Sequence, residues 1–287
     1  MVRMSFSIQL HYRIEEQPAD FILNIHAAHT PNQVVVSENL QSTAGGVLVV
    51  EGDPTTGCRF VRLRAGPGDL RVRYRAVVDI AHHVGVPSNL NEVPVADLPL
   101  AVLPYLYPSR YCQSDRLYAL ANAEFGRLQP GYARVQSIND WVQQRTRFAS
   151  GSSNSSTSAI DTIESGAGVC RDFAHLMIAL CRASNIPARF VTGIDYGADP
   201  ALGPTDFHAY VEAWLGSRWY LFDPTGVVPR AGLVRIGTGR DAADVSFATI
   251  FGSVGSDAPL ISIDALHDPA NGYALPQRME EALSTHG

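Results

Sequence analysis

The first eighty residues alternate between apolar and polar positions with a period of two. "FSIQLHYRI" (6–14), "DFILNIHAA" (20–28), "QVVVSENL" (33–40) and "GVLVVEG" (46–52) are short runs with β-branched or aromatic residues, separated by turn formers. Each reads as a strand. The runs "CRFVRLRA" and "LRVRYRAVVDI" flank Gly66, Pro67, Gly68 and Asp69, which predicts a hairpin. Arginines alternate with apolar residues in both arms, at Arg62, Arg64, Arg71, Arg73 and Arg75. That pattern gives one wet face and one packed face.

Beyond Pro87 the period changes. "VADLPLAVLPYLYPSRY" is broken by prolines, and helical spacing then appears in "SDRLYALANAEFG" and "YARVQSINDWVQQRTRF". "ASGSSNSSTS" (149–158) is polar and of low complexity, and it is expected to be a mobile loop bordering a cleft. A short helix, "AIDTIES", ends at Gly166, and a second runs from Cys170 to about Asn185, where Pro187 prevents continuation. Its spacing puts Phe173, Met177, Leu180 and Cys181 on a buried stripe. Strands follow in "ARFVTGI", "FHAYVEAWL" and "RWYLFDP". No internal repeat is present. The division expected is a β-rich domain over 1–85, a second unit with a helical lead-in over 86–270, and a C-terminal tail over 271–287.

Composition narrows the partners. With 287 residues, 46% hydrophobic and 17% charged, the chain can bury a substantial core. The net charge of −6 disfavours nucleic acid, so the arginine-bearing strands read as a solvated sheet face rather than an RNA-binding one. All 22 basic residues are arginine, which excludes Schiff-base chemistry, a lysine base and a lysine-bearing phosphate loop. No apolar run reaches the ~18 residues of a membrane span, so no membrane partner is expected. The start, "MVRMSFSIQLHYR", alternates like a strand and lacks the pattern of a signal peptide. Cys58, Cys112, Cys170 and Cys181 are expected to be thiols in a reducing cytoplasm.

One thiol has a special position. Cys170 opens its helix, where free backbone N–H groups and the helix dipole stabilise a thiolate. Taken alone it is equally a small buried residue or a nucleophile. His175 lies well round the helix and is expected to be packed or at the surface, not to act as a base. Arg171 and Asp172 are expected to form a local salt bridge at the helix start. The partners sought are in "DFHAYVEAWLGSRWYLFDPTG". Leu215, Gly216, Ser217 and Arg218 suit a two-residue type II′ turn. If Leu215 faces Arg218, Asp223 faces Tyr210, and His208 is a diagonal neighbour ~7–8 Å away at the backbone. Alone, His208 could be a core histidine and Asp223 a strand-end cap; with Cys170 they meet the needs of a nucleophile, a base and an orienter. Zinc could accept Cys170, His208 and Asp223, perhaps with His175, but no close Cys or His pair nucleates such a site. No metal or cofactor is expected.

At these residues the sequence resembles the transglutaminase-like superfamily, in particular its bacterial members of cysteine-protease type. "GAGVCRDFAHLMIALCRASNIPARFVTGI", "DFHAYVEAWLGSRWYLFDPTG" and, more weakly, "GRDAADVSFATIFG" carry the likeness, over roughly 133–252. The resemblance implies an α+β fold: a papain-like core, with the cysteine helix packed on an antiparallel sheet, preceded by a β-rich N-terminal domain. It implies Cys170 as nucleophile, His208 as base and Asp223 as orienter. The chemistry implied is thiol-dependent attack on an amide of a peptide, protein or small molecule, ending in hydrolysis. Alternatives are acyl transfer to an amine and a non-catalytic binding module. Asn185 stands where relatives place glycine, which suits a left-handed helix terminus. No acidic cluster has a calcium-ligand spacing. Cys170 is expected to be partly exposed near His208 with a lowered pKa. Trp141, Asn154 and Tyr132 could reach the site but are better read as packed or solvated, and Glu212 as structural.

Overall fold

The computed structural model describes residues 1–45, 48–199 and 205–286. Seven strands open the chain: β1 (Val2–Ile14), β2 (Ala19–Leu23), β3 (Gln33–Ser42), β4 (Val49–Gly52), β5 (Arg59–Ala65), β6 (Gly68–Ile80) and β7 (His83–Gly85). The run expected at 46–52 is a strand from Val49; Gly46 and Val47 lie outside the described residues. Next come α1 (Tyr118–Phe125), α2 (Tyr132–Arg145), β8 (Arg147–Phe148), α3 (Ala159–Ser165), β9 (Ala167–Gly168) and α4 (Cys170–Ala183). The remaining strands are β10 (Ala188–Asp195), β11 (Phe207–Leu215), β12 (Arg218–Phe222), β13 (Leu233–Gly239), β14 (Ala248–Phe251), β15 (Val254–Ser256), β16 (Leu260–Leu266) and β17 (Ala282–Ser284).

The N-terminal strands build a sandwich. One sheet has the order β15, β1, β6, β3, with β16 also paired to β1; the other has the order β14, β2, β5, β4. Both turn their apolar positions into one core that includes Phe6, Ile8, Phe21, Val61 and Tyr74. The hairpin expected at 58–80 does not form. β5 pairs with β2 and β4, whereas β6 pairs with β1 and β3. The turn at Gly66 to Gly68 instead carries the chain from one sheet to the other. Alternation fits both arrangements, because strands facing each other across a sandwich also present one apolar face each.

Two of the expected boundaries also differ. Residues 248–266, assigned to the second unit, supply β14 to β2 and β15 and β16 to β1. The expected tail contains β17, which pairs with β7, and Ala282 and Leu283 are buried.

The second unit is centred on the antiparallel sheet β12, β11, β10, β13. α4 packs on β10 and β11, with α1, α2 and α3 around it. Residues 172–183 of α4 are buried all round, so the expected stripe is one part of a fully enclosed helix. Every residue of β10 is buried as well, as expected of a strand covered on both faces. α3 ends where the sequence indicates, at Gly166 with φ 62°, and Asn185 takes φ 60° beyond α4. No helix among the described residues is long and apolar enough to cross a membrane.

Candidate active site

α4 begins at Cys170 because the preceding turn caps it. Val169 is extended, and Asp172 Oδ2 accepts the Val169 N–H at 2.8 Å. A carboxylate in the first turn satisfies a donor that the helix start leaves over. Arg171 Nε lies 3.8 Å from Asp172 Oδ1, so this pair holds the helix start. Arg171 also donates to Ser153 Oγ (2.6 Å) and Asn154 O (2.8 Å), while the Tyr111 hydroxyl donates to Ser155 O at 2.7 Å. The segment expected to be a mobile loop is therefore tied on two sides, and one tie comes from the residue next to the thiol.

Cys170 is partly exposed, whereas Cys58, Cys112 and Cys181 are buried. Its S–H donates to Phe207 O at 3.8 Å, and the Ala209 N–H donates to its sulfur. The thiol thus rests against the main chain on both sides of His208.

The β11–β12 register is the predicted one. Leu215 pairs with Arg218 and Val211 with Phe222. Gly216 takes φ 61° and Ser217 stays outside the left-handed region, as a type II′ turn requires. Asp223 follows β12, and its Oδ1 lies 3.3 Å from His208 Nε2. The ring nitrogen is off line for a hydrogen bond, so this is a close charge contact. Thr225 fixes the carboxylate, donating to Oδ1 from its N–H (3.1 Å) and its hydroxyl (2.7 Å).

Sequence reasoning missed a second carboxylate. Asp195, the last residue of β10, places Oδ2 at 3.9 Å from His208 Nδ1. His208 pairs across the sheet with Gly193, so Asp195 is its diagonal neighbour on one side, as Asp223 is on the other. Gly193 needs to be glycine. A Cβ there would stand 2.4 Å from Val234 O, where β10 slips its register against β13.

Burial and charge set the protonation states. Burial pushes the Cys170 thiol up to about 12; the Ala209 N–H opposes this, and Asp223 and Asp206 add to it. The expectation of a lowered thiol pKa is therefore wrong. Taking the sulfur out of water among carboxylates outweighs the helix terminus. For His208 burial opposes the charged ring, yet Asp223 and Asp195 raise its pKa above the ordinary value. Burial also works against the Asp223 charge, but His208 and Thr225 hold its pKa below the usual range.

The other residues singled out are structural. His175 is buried between Tyr111 and Phe190, and its Nε2 accepts the Ala242 N–H at 3.2 Å; burial lowers its pKa well below the ordinary value. Glu212 is buried between Arg189 and Arg235. Trp141 donates to Glu124, Tyr132 accepts from Arg230, and Asn154 is engaged within its loop and by Arg171. Asp223 and Phe222 help to line a pocket of about 430 Å³ whose lining includes neither Cys170 nor His208. Among the described residues, no group of three or more His, Cys, Asp or Glu side chains could hold a metal ion.

Residues 119–224 match the transglutaminase-like superfamily, and residues 2–101 match the N-terminal domain of bacterial transglutaminases. A solved structure from Cytophaga hutchinsonii, described as a "putative cysteine protease", is 41% identical with a TM-score of 0.89; the alignment covers 99% of this chain and 97% of that one. The chain belongs to the transglutaminase-like superfamily. An uncharacterized protein of Mycobacterium leprae is 29% identical over 49% of this chain and 52% of its own length. One from Mycobacterium tuberculosis is 34% identical over 34% of this chain and 35% of its own length. The chain thus spans about half or less of the length of these curated relatives.

Proposed function

We propose that the protein carries out thiol-dependent acyl chemistry on amide bonds, with Cys170 as nucleophile, His208 as base and Asp223 as orienter, and that hydrolysis is its outcome. One observation carries this reading: a half-buried cysteine at a capped helix start rests its thiol against the main chain on either side of a histidine that a fixed carboxylate contacts. The sulfur attacks the amide carbon, and its proton passes to the ring nitrogen away from Asp223. The C–N bond breaks as that proton moves to the departing amine, leaving a thioester. Water then attacks the thioester with His208 again taking a proton, which returns to the sulfur as the acid leaves. Burial favours the neutral thiol, which supports proton transfer accompanying attack. The carboxylate-flanked ring is suited to receive the proton. The Cys170 N–H is assigned as one oxyanion donor, a type of contact worth typically ~2.7–4 kcal/mol.

The substrate class proposed is a peptide, protein or small amide. The test is labelling by a thiol-directed electrophile, followed by turnover of a peptide and small-amide library, for wild type and Cys170→Ala. Labelling at Cys170 and turnover lost in the variant are expected. A wild type that neither labels nor turns over any amide would leave a binding module on the same fold. Incorporation of a labelled amine in preference to water would shift the outcome from hydrolysis to acyl transfer.

A further inference from the structure

We propose that Asp195 is a positioning residue for His208, supplying from β10 a second counter-charge to the ring and so strengthening it as the base for the Cys170 thiol. The proposal rests on the catalytic reading above. It goes beyond that reading in assigning a fourth residue, which lies outside the Cys, His and Asp trio.

The geometry is a ring held between two carboxylates on one sheet face. Asp223 directly follows the strand on one side of β11, and Asp195 ends the strand on the other. They approach opposite nitrogens, Nε2 at 3.3 Å and Nδ1 at 3.9 Å. His208, Asp195 and Asp223 are only 6%, 7% and 6% exposed, so solvent screens these charges weakly. The longer distance matters. At 3.9 Å the Asp195 oxygen is beyond hydrogen-bond reach and leaves Nδ1 open to take the thiol proton, while its charge still favours the protonated ring.

The charged groups facing the ring are Asp223 and Asp195, with exposed Asp206 at the edge of the site and the Cys170 thiol against the main chain of Phe207 and Ala209. Asp223 and Asp206 act on the thiol as well, where a negative charge hinders ionisation. Asp195 acts on the ring from the Nδ1 side, at 3.9 Å. Burial raises the Asp195 pKa and the neighbouring ring opposes that rise; when ionised, Asp195 favours the protonated ring.

The test compares wild type, Asp195→Asn and Asp195→Glu by two readouts: titration of the His208 ring followed by NMR, and the pH profile of Cys170 alkylation by iodoacetamide. Removing the charge should lower the ring midpoint by about one pH unit, the low end for an opposite charge within ~4–6 Å. The acid limb of the alkylation profile should move the same way, and the plateau rate should fall several-fold with the weaker base. Asp195→Glu should keep the midpoint within a few tenths of wild type. Asp195→Ser removes the same charge and serves if the Asn variant does not fold. An unchanged ring midpoint in a folded, charge-free variant overturns the proposal. Failure of the catalytic reading looks different: the wild-type and His208→Ala alkylation profiles then coincide, while the ring titration still reports on Asp195.

Discussion

Thr225 donates twice to a single oxygen of Asp223, from its backbone N–H at 3.1 Å and its hydroxyl at 2.7 Å. That oxygen is the one facing His208, so the turn after β12 sets the distance between carboxylate and ring. Replacing Thr225 by Val keeps the shape and removes only the hydroxyl bond. A hydrogen bond to a charged group contributes ~1.5–3 kcal/mol, and on that scale we expect turnover to fall about tenfold or more. KM should stay near wild type, and steady-state kinetics on any accepted amide would check this.

Alkylation of Cys170 should report the ring, not the sulfur. A protonated His208 cannot take the thiol proton, so the rate should rise as pH passes upward through the His208 pKa, which lies above the ordinary value of 6.5. In His208→Ala that limb should vanish, and reactivity should climb only at strongly alkaline pH, toward the thiol's own value of about 12. Iodoacetamide kinetics followed by mass spectrometry separates the two cases. Coincident profiles would remove His208 as the partner.

Stability should fall on the alkaline side of pH 6.5 because of the same ring. A histidine whose folded pKa is raised contributes stability that is complete below 6.5 and lost as pH rises through the folded value. His26, His82 and His175 have the opposite sign. Burial lowers their pKa values, to about 4 for the first two, so their contribution is lost as pH falls below 6.5. Buried thiols, whose pKa values are raised, begin to act about one pH unit below the unfolded cysteine value of ~8.5, so only above about pH 7.5, and the buried tyrosines later still. Urea titrations between pH 6.5 and about 7.5 should show a decline in wild type that is absent from His208→Gln.

Glu212 is expected to be the most sensitive buried charge. Arg189 approaches its Oε2 at 2.6 Å and Arg235 its Oε1 at 3.5 Å, with all three side chains out of contact with water. Glu212→Gln leaves two guanidinium groups without a counter-charge, and losing one partner of such a set costs ~3–5 kcal/mol. Chemical denaturation would measure it. A loss under about 1 kcal/mol would mean that water reaches the cluster.

The tie between Arg171 and the 150–158 segment should be separable from folding. Arg171→Met removes the bonds to Ser153 Oγ and Asn154 O but leaves the Asp172 cap in place. We expect faster limited proteolysis within 150–158 and a thermal midpoint within a few degrees of wild type. A change in relative rates between amide substrates would make the segment part of substrate recognition. Unchanged ratios would reduce it to a connector.

Local cues made the His208–Asp223 side of the site legible in the sequence. A two-residue turn fixes the register of β11 and β12, and the diagonal rule then brings the two side chains together. The same rule applied to β10 would have found Asp195. However, residues 196–206 separate β10 from β11, and a connection of that length carries no register. The thiol pKa failed for a different reason: a helix start is visible in sequence, whereas the burial and carboxylates around the sulfur are tertiary. The false hairpin at 58–80 belongs with these. Alternating strands joined by a glycine turn can be edge neighbours or face each other across a core, and only their partners decide.

The return of β14, β15 and β16 to the first two strands has a consequence for synthesis. β1 and β2 leave the ribosome before the strands that cover them, and the edges that β14 to β16 cover stay open until more than 220 further residues have followed. Open strand edges template unwanted pairing. The N-terminal sheets are thus completed after the thiol-bearing helix has been made, and a ribosome stalled before residue 248 would hold a sandwich with two unguarded edges. Nascent chains released at that point should depend on chaperones, whereas chains released after residue 266 should not.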